Sequence, residues 1–364
     1  MEGLETAMKE KKRNSSIELL RIVCIFGIIV MHTIAYGGDE LSEMNRYLQI
    51  FVNCFTNLGV TCFMLISGYF GVRFQLEKLI KLDLMIIFYS FVHIGIRLLL
   101  NVPTGKMDVL CAVFPILSNQ YWYMTAYFII VILSKYINQI PERLSMVALR
   151  RLLLILLFLF SVVPTFLHFD ILGSEGKNVV HMTLIYLIGR YIRIYDERQY
   201  DNRKLALVLF GNILVTAVLE MALYAVTGHY SMFYRDCSIF TICSAILLFT
   251  LFRNIRFENR FINRVAGSVL AVYVFSFGFQ RLVYQFLPLE DYAFSTMLFP
   301  RIFLFAPCVV VGCIAVDQLR QLIFGKAETK LSECLAGLLK KGLDAGVKGG
   351  MELTEKVLKF VMKS

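Results

Sequence analysis

The sequence predicts an all-α fold: a polytopic membrane helix bundle of about ten transmembrane helices, with the N- and C-termini cytoplasmic. Three observations carry this expectation. Apolar residues make up 58% of the 364, charged residues only 18%, and mean hydropathy is +0.66, well outside the soluble range. Apolar runs of roughly 17 to 25 residues, the length that crosses a bilayer, recur along the chain. The basic residues, which give a formal net charge of +10, sit between those runs and fall mostly on one side.

Taken in order, the runs cover about 17–36, 47–71, 79–101, 120–139, 149–169, 179–195, 204–227, 236–252, 263–287 and 294–320. With the N-terminus in the cytoplasm, some twenty Lys and Arg fall at inner ends and loops. Among them are Lys9, Lys11, Lys12, Arg13, Arg73, Arg193, Arg253 and Arg256. The outer loops then hold only Arg46, Lys106, Lys177 and Arg235. This asymmetry is the positive-inside pattern, and it agrees with an even number of spans. The charge therefore reads as an orientation signal toward the lipid bilayer, and nucleic-acid binding is excluded. The basic start is expected to lead into a retained first span rather than to be a cleaved signal peptide, because the apolar run after it is long, contains Arg21 and lacks a small-x-small site.

Three segments follow: a basic cytoplasmic N-terminus over 1–13, a transmembrane domain over 14–322, and an amphipathic cytoplasmic tail over 323–364. The loops are short, so chemistry is expected inside the bundle. The tail has apolar positions at helical spacing in LSECLAGLLKKGLDAG and MELTEKVLKFVMK, with a break expected at Gly349-Gly350; it suits the inner membrane surface or a partner. The chain is also compatible with a homo-oligomer. The nine cysteines show no CxxC or Cys/His spacing and read as small buried hydrophobes, with no metal site.

The polar residues inside the first run carry the most chemistry. Arg21 and His32 are eleven residues apart, within roughly 20° of one helix face and roughly 16 Å apart along the axis. Each alone is explained equally well as a snorkelling arginine and a hydrogen-bonded bundle histidine. On one face together they argue for a lined cavity running between the two membrane surfaces. Glu18, one turn before Arg21, pairs with it or holds its fork.

The second run ends in FMLISGYFGVR. Ser67 and Gly68 allow close approach of a neighbouring helix, and Arg73 emerges near Arg21, so that two guanidiniums at one mouth suit ligand phosphates. Arg73 alone is more simply an inner-surface anchor. At the outer ends, His32, His93, His168, His181 and His229 gather with Glu220, Gln280, Arg281 and Arg301, a pattern expected for an aqueous vestibule. Trp122 and Tyr123, at the outer end of the fourth run, form an aromatic belt or stack a sugar ring.

The pattern Glu18-x-x-Arg21 followed by ten residues and His32, the FMLISGYFGVR stretch, and QYWYMTAYFIIVILSKYIN resemble the acyltransferase type 3 family. These are ten-span bacterial membrane enzymes that O-acylate cell-surface glycans, and the likeness covers roughly residues 14–320. The resemblance implies that His32 is the catalytic histidine, that Arg21 and Arg73 are its essential partners in using an acyl-CoA (acetyl-CoA) donor, and that a glycan hydroxyl is the acceptor. The chain departs from the family at three places. Leu76 stands where many members have a second basic residue, Tyr127 or Phe128 where some have an acid, and Ser276 at a histidine position.

On this reading His32 takes a proton from the acceptor hydroxyl, or attacks the thioester and carries the acyl group itself. Tyr36, Gln280 and Arg281 are candidate oxyanion donors. A transporter or flippase of a glycan or lipid intermediate would share ten spans and an interior seam but need no donor. A structural or sensory subunit would depend on the tail and tolerate loss of His32.

Overall fold

The computed structural model describes residues 14–361 apart from 39 and 168, without the side chains of 343–361. The basic segment 1–13, His168 and the side chains of the later part of the tail thus lie outside the described residues.

The described chain is helical, without a strand. Its helices are α1 (Ser15–Ile34), α2 (Glu43–Thr56), α3 (Gly59–Phe70), α4 (Leu76–Leu99), α5 (Lys106–Val113), α6 (Trp122–Ile137), α7 (Gln139–Arg143), α8 (Met146–Leu157), α9 (Val163–Leu167), α10 (Val179–Tyr195), α11 (Asn202–Thr227), α12 (Ile239–Asn254), α13 (Arg260–Ala266), α14 (Val269–Tyr284) and α15 (Leu298–Val361).

Each of the ten expected runs is helical. By length and composition, six helical segments are apolar enough to cross a membrane: Ser15–Gly37, Glu43–Phe70, Leu76–Leu99, Met146–Leu167, Asn202–Thr227 and Leu298–Gly342. The pair α13 and α14, bent by 54°, makes a seventh if counted as one span. The most apolar windows of Met146–Leu167 and Asn202–Thr227 are only 17% and 22% buried inside the protein, which leaves them to face lipid.

Local chemistry sets the helix ends. Asn14, Ser42, Ser145, Asn178, Asp201, Ser238 and Asn259 each accept a backbone N–H in the first turn of the helix they precede, satisfying donors that the helix cannot. A π-turn over Phe158–Val162 joins α8 to α9, just before Pro164, whose missing N–H relaxes the ladder there. The second run is broken between α2 and α3 at Asn57, whose side chain donates to the Tyr234 carbonyl at 2.6 Å. The break seats Gly59 against α1, where a Cβ would lie 2.8 Å from the Cys24 carbonyl oxygen.

The core is organised around α1, which packs against α2, α3, α12, α13, α14 and α15. Leu20, Ile25, Ile29 and Ile34 are among the most completely buried side chains. The tightest crossing is α3 on α10. A Cβ on Gly68 would collide with the Tyr186 carbonyl, and one on Gly189 would lie 2.8 Å from the Tyr69 nitrogen. Ser67-Gly68 thus does what its small residues suggest.

α15 runs unbroken through Gly349 and Gly350, where the sequence reading places a break. Two glycines cost about 1 kcal/mol each in a helix interior, and no proline stands beside them to end it. The start of the tail lies against α4: Lys340 pairs with Glu77 at 2.6 Å and Lys81 donates to Thr329 at 2.8 Å. Within α15, Asp317 accepts from Tyr89 on α4 at 2.8 Å and from Arg320 at 2.9 Å, while Arg320 also pairs with Glu328. This buried network joins the tail to the bundle. The cysteines divide: Cys24, Cys54, Cys62, Cys237 and Cys313 are buried and Cys111 is half-buried, whereas Cys243, Cys308 and Cys334 are exposed, a correction to the expectation that they serve as buried hydrophobes.

Candidate functional site

α1 presents Arg21 toward a gap between α3 and the α13–α14 corner. A cavity of ≈ 540 Å³ fills that gap, lined by Glu18 and Arg21 from α1, Phe63, Ser67 and Phe70 from α3, Tyr123 and Tyr127 from α6, and Ala266, Gly267, Val269 and Leu270 from the α13–α14 corner. Its wall is mostly apolar and aromatic, with one guanidinium, the combination that takes an elongated ligand with a polar end. Arg21 Nη1 stands 3.6 Å from Glu18 Oε2, with 36% of the arginine side chain exposed. The pair orients the fork without closing it off.

Ser67 Oγ donates to the Phe63 carbonyl at 2.9 Å, leaving its lone pairs toward the cavity. Tyr123 is buried against Trp122, Tyr127 and Tyr273 at ring distances of 5.8 to 6.5 Å. The outer-belt reading is corrected for this residue. Its ring is 3% exposed and covered by its aromatic neighbours, while Thr125 holds the start of α6 to the preceding loop through the Ile116 carbonyl at 2.9 Å. Trp122 is half-buried beside it.

Arg73 is exposed and lines a different cavity of ≈ 340 Å³ with Gln75, Lys78, Leu79 and Leu82. Tyr127 and its helix neighbour Val131 form the other wall, so Tyr127 separates the Arg21 cavity from the Arg73 cavity. The two arginines do not share one mouth, as the sequence reading had it; they occupy adjoining pockets.

His32 lies about three turns beyond Arg21 along α1, exposed, with no hydrogen-bond partner among the described residues. It is not part of the Arg21 cavity. Ile25 and Ile28, on the same face, are buried between them. Lys177, from the loop before α10, stands close enough for its charge to act on the imidazole.

The other polar residues at this end mostly hold loops. Glu220 accepts the backbone N–H groups of Met232 and Phe233. Gln280 donates to Thr33 Oγ1 at 3.0 Å and to the Ile29 carbonyl at 3.3 Å. His181 Nε2 lies 3.1 Å from the Asp236 carbonyl, and Arg301 stacks 3.7 Å over Tyr292. These four are bound to protein, which corrects the expectation that they line an open vestibule. Gln280 is thereby also spent as an oxyanion donor. His93 stacks on Phe277 at 5.7 Å, with Arg281 5.6 Å from the same ring; Tyr36 lies against Tyr284 at 5.1 Å. His229 is exposed. Ser276 turns its hydroxyl to the Tyr273 carbonyl at 3.4 Å. Among the described residues no group of three or more His, Cys, Asp or Glu could hold a metal.

Two features were not read from the sequence. The first is Asp236, in the loop before α12, a buried carboxyl whose Oδ1 has no protein partner. Burial pushes its pKa up to about 7 against the opposing charge of Lys177. The second is a set of arginines at the basic end of α10 and α12, which the sequence presents only as surface anchors.

Against known proteins, residues 14–317 match the family model described as an acyltransferase domain. No curated protein and no solved structure matches.

Proposed function

The chain belongs to the acyltransferase type 3 family, and from that premise we propose that it moves an acyl group, acetyl in the simplest case, from cytosolic acyl-CoA to a hydroxyl of an extracytoplasmic cell-surface glycan. Family membership makes it a membrane acyltransferase; the donor, the acceptor and the residue roles are our reading.

The observation that carries it is the Arg21 cavity. It opens at the basic end of the bundle, which the positive-inside asymmetry assigns to the cytosol, and it points along the α1 face that ends in His32. The donor set suits an acyl-CoA: a guanidinium for an anionic group, then aromatic walls from Phe63, Tyr123 and Tyr127 for the uncharged arm. The arm must pass the level of Ile25 and Ile28 to bring the thioester to His32.

At His32 the neutral imidazole accepts the proton of the acceptor hydroxyl, whose oxygen attacks the thioester carbonyl. The C–S bond breaks, and the imidazolium returns its proton to the departing thiolate. In the alternative order the imidazole attacks first and expels the thiolate; the acyl group then passes from nitrogen to the hydroxyl, whose proton goes to the thiolate. An exposed ring without a hydrogen-bond partner suits either role.

The test is transfer of label from acetyl-CoA to surface glycan in membranes. His32→Ala is expected to lower transfer at least about a hundredfold at unchanged protein abundance. Full transfer by that variant would end the assignment.

A further inference from the structure

Arg21 is not the outermost cation on the path into the bundle. Beside its cavity lies a second one of ≈ 430 Å³, which shares Asn14, Ile17 and Phe70 with it and adds Tyr69, Arg193, Arg253, Arg256, Phe257 and Glu258. A third, of ≈ 400 Å³, shares Tyr69, Arg193, Arg253 and Arg256 with the second and reaches Asp196 to Gln199. The three adjoin through these shared residues, the Arg21 cavity mostly apolar and the outer two lined by arginines.

The mouth is built by helix ends that pack on one another: the start of α1 and the C-terminal ends of α3, α10 and α12. It is therefore framed by protein rather than by lipid-facing helix surface. Its arginines differ in role. Arg253 is committed to structure, pairing with Asp196 at 3.1 Å and donating to the carbonyls of Asp196 and Arg198 at 3.0 and 3.1 Å. Arg193 lies over the Tyr69 ring at 5.2 Å and donates to its hydroxyl at 3.3 Å, making a flat cation–aromatic platform. Arg198 and Arg256 are exposed and enter no ion pair with a described residue. Positive-inside anchors need only lie near headgroups; these two face a cavity that leads to Arg21.

We propose that this mouth holds the phosphate-bearing nucleotide end of the acyl donor, with Arg198 and Arg256 on the phosphates and the Arg193–Tyr69 platform against the base. This rests on the acyl-CoA reading above and extends it: Arg21 then meets the inner end of the charged portion, and only the uncharged arm enters the 540 Å³ cavity. Charge-assisted bonds at two guanidiniums supply affinity that pantetheine alone cannot draw on.

The experiment measures binding of coenzyme A, dephospho-coenzyme A and pantetheine to the purified full chain, in nanodiscs of neutral lipid and of mixed anionic lipid. Arg198→Gln with Arg256→Gln is expected to weaken coenzyme A about 10- to 100-fold and to leave pantetheine unchanged, while the double Lys variant keeps part of the affinity. Dephospho-coenzyme A should fall between the two ligands. Coenzyme A binding equally to wild type and the Gln variant would overturn the assignment. So would a Gln variant that loses only its association with anionic lipid, since the guanidiniums would then serve headgroups. A wild-type chain that binds no coenzyme A at all would instead overturn the acyl-CoA reading itself.

Discussion

Arg21 and His32 share one face of α1, but only Arg21 lines the cavity at the basic end, with buried Ile25 and Ile28 between them. On the proposed mechanism the separation gives them different steps. An arginine that meets the donor at a distance from the reacting carbonyl would contribute the same binding before and during reaction, and the histidine would act where bonds change.

Arg21→Ala is accordingly expected to raise KM for the acyl donor about 10- to 100-fold, the worth of one charge-assisted contact, with kcat within a few-fold of wild type. His32→Gln should do the reverse. Glu18→Gln should change KM by no more than about threefold, because a 3.6 Å pair with a partly exposed arginine contributes at most about 1 kcal/mol. Steady-state kinetics in membranes check all three. An Arg21→Ala enzyme with normal KM and collapsed kcat would place this guanidinium at the reacting atoms instead.

Gly68 and Gly189 let α3 and α10 touch backbone to backbone, and α3 is also the wall of the Arg21 cavity through Phe63, Ser67 and Phe70. Replacing either glycine by alanine drives a methyl group into a carbonyl or amide of the partner helix, and the helices must separate. Overpacking of this kind costs about 1–3 kcal/mol. Gly68→Ala and Gly189→Ala should both lower the thermal midpoint in detergent, whereas Gly95→Ala, with open space around it, should not. Equal midpoints for all three variants would show that the crossing does not bear on stability.

Much of this was legible in the sequence, because apolar length and helical phase are properties of short windows. The helical character of the apolar runs, the shared face of Arg21 and His32, and the close approach at Gly68 needed no knowledge of distant contacts. What was not legible depends on which loop folds onto which helix. Glu220, His181 and Gln280 read as vestibule residues because polar groups at membrane depth need partners. Their partners are backbone groups of the 228–238 loop and α1, which no local pattern announces. Tyr123 read as a surface ring because the sequence does not show that Phe63 of α3 and Tyr273 of α14 pack over it. Arg193, Arg198 and Arg256 looked like ordinary anchors, since loops more than fifty residues apart meet only in the folded bundle. α15 was divided at Gly349-Gly350 by propensity, which is a weak guide against helix propagation.

Asp236 supplies a pH test of how the loop before α12 is held. Its carboxyl is 3% exposed, with Oδ1 unbonded to protein. Gly176, at φ +93, brings the neighbouring loop so close that a Cβ there would lie 2.9 Å from the Asp236 carbonyl carbon. The groups facing it are Lys177 and Glu175 from that loop, His181 of α10 at its backbone carbonyl, and Tyr273 of α14. Burial raises its pKa from 3.8 to about 7, Lys177 opposing and Glu175 adding to the shift. The folded state therefore binds the proton more tightly than the unfolded chain. The resulting stability is complete below about pH 4 and is lost as pH rises through about 7, a swing of about 4 kcal/mol at about 1.4 kcal/mol per unit. Asp236→Asn keeps the shape and removes the titration. In detergent, wild type should lose thermal stability between pH 4 and 7 relative to Asp236→Asn, and the two curves should converge at the acid end. Parallel curves across that window would mean that the carboxyl is ionised, or solvated, in the folded protein.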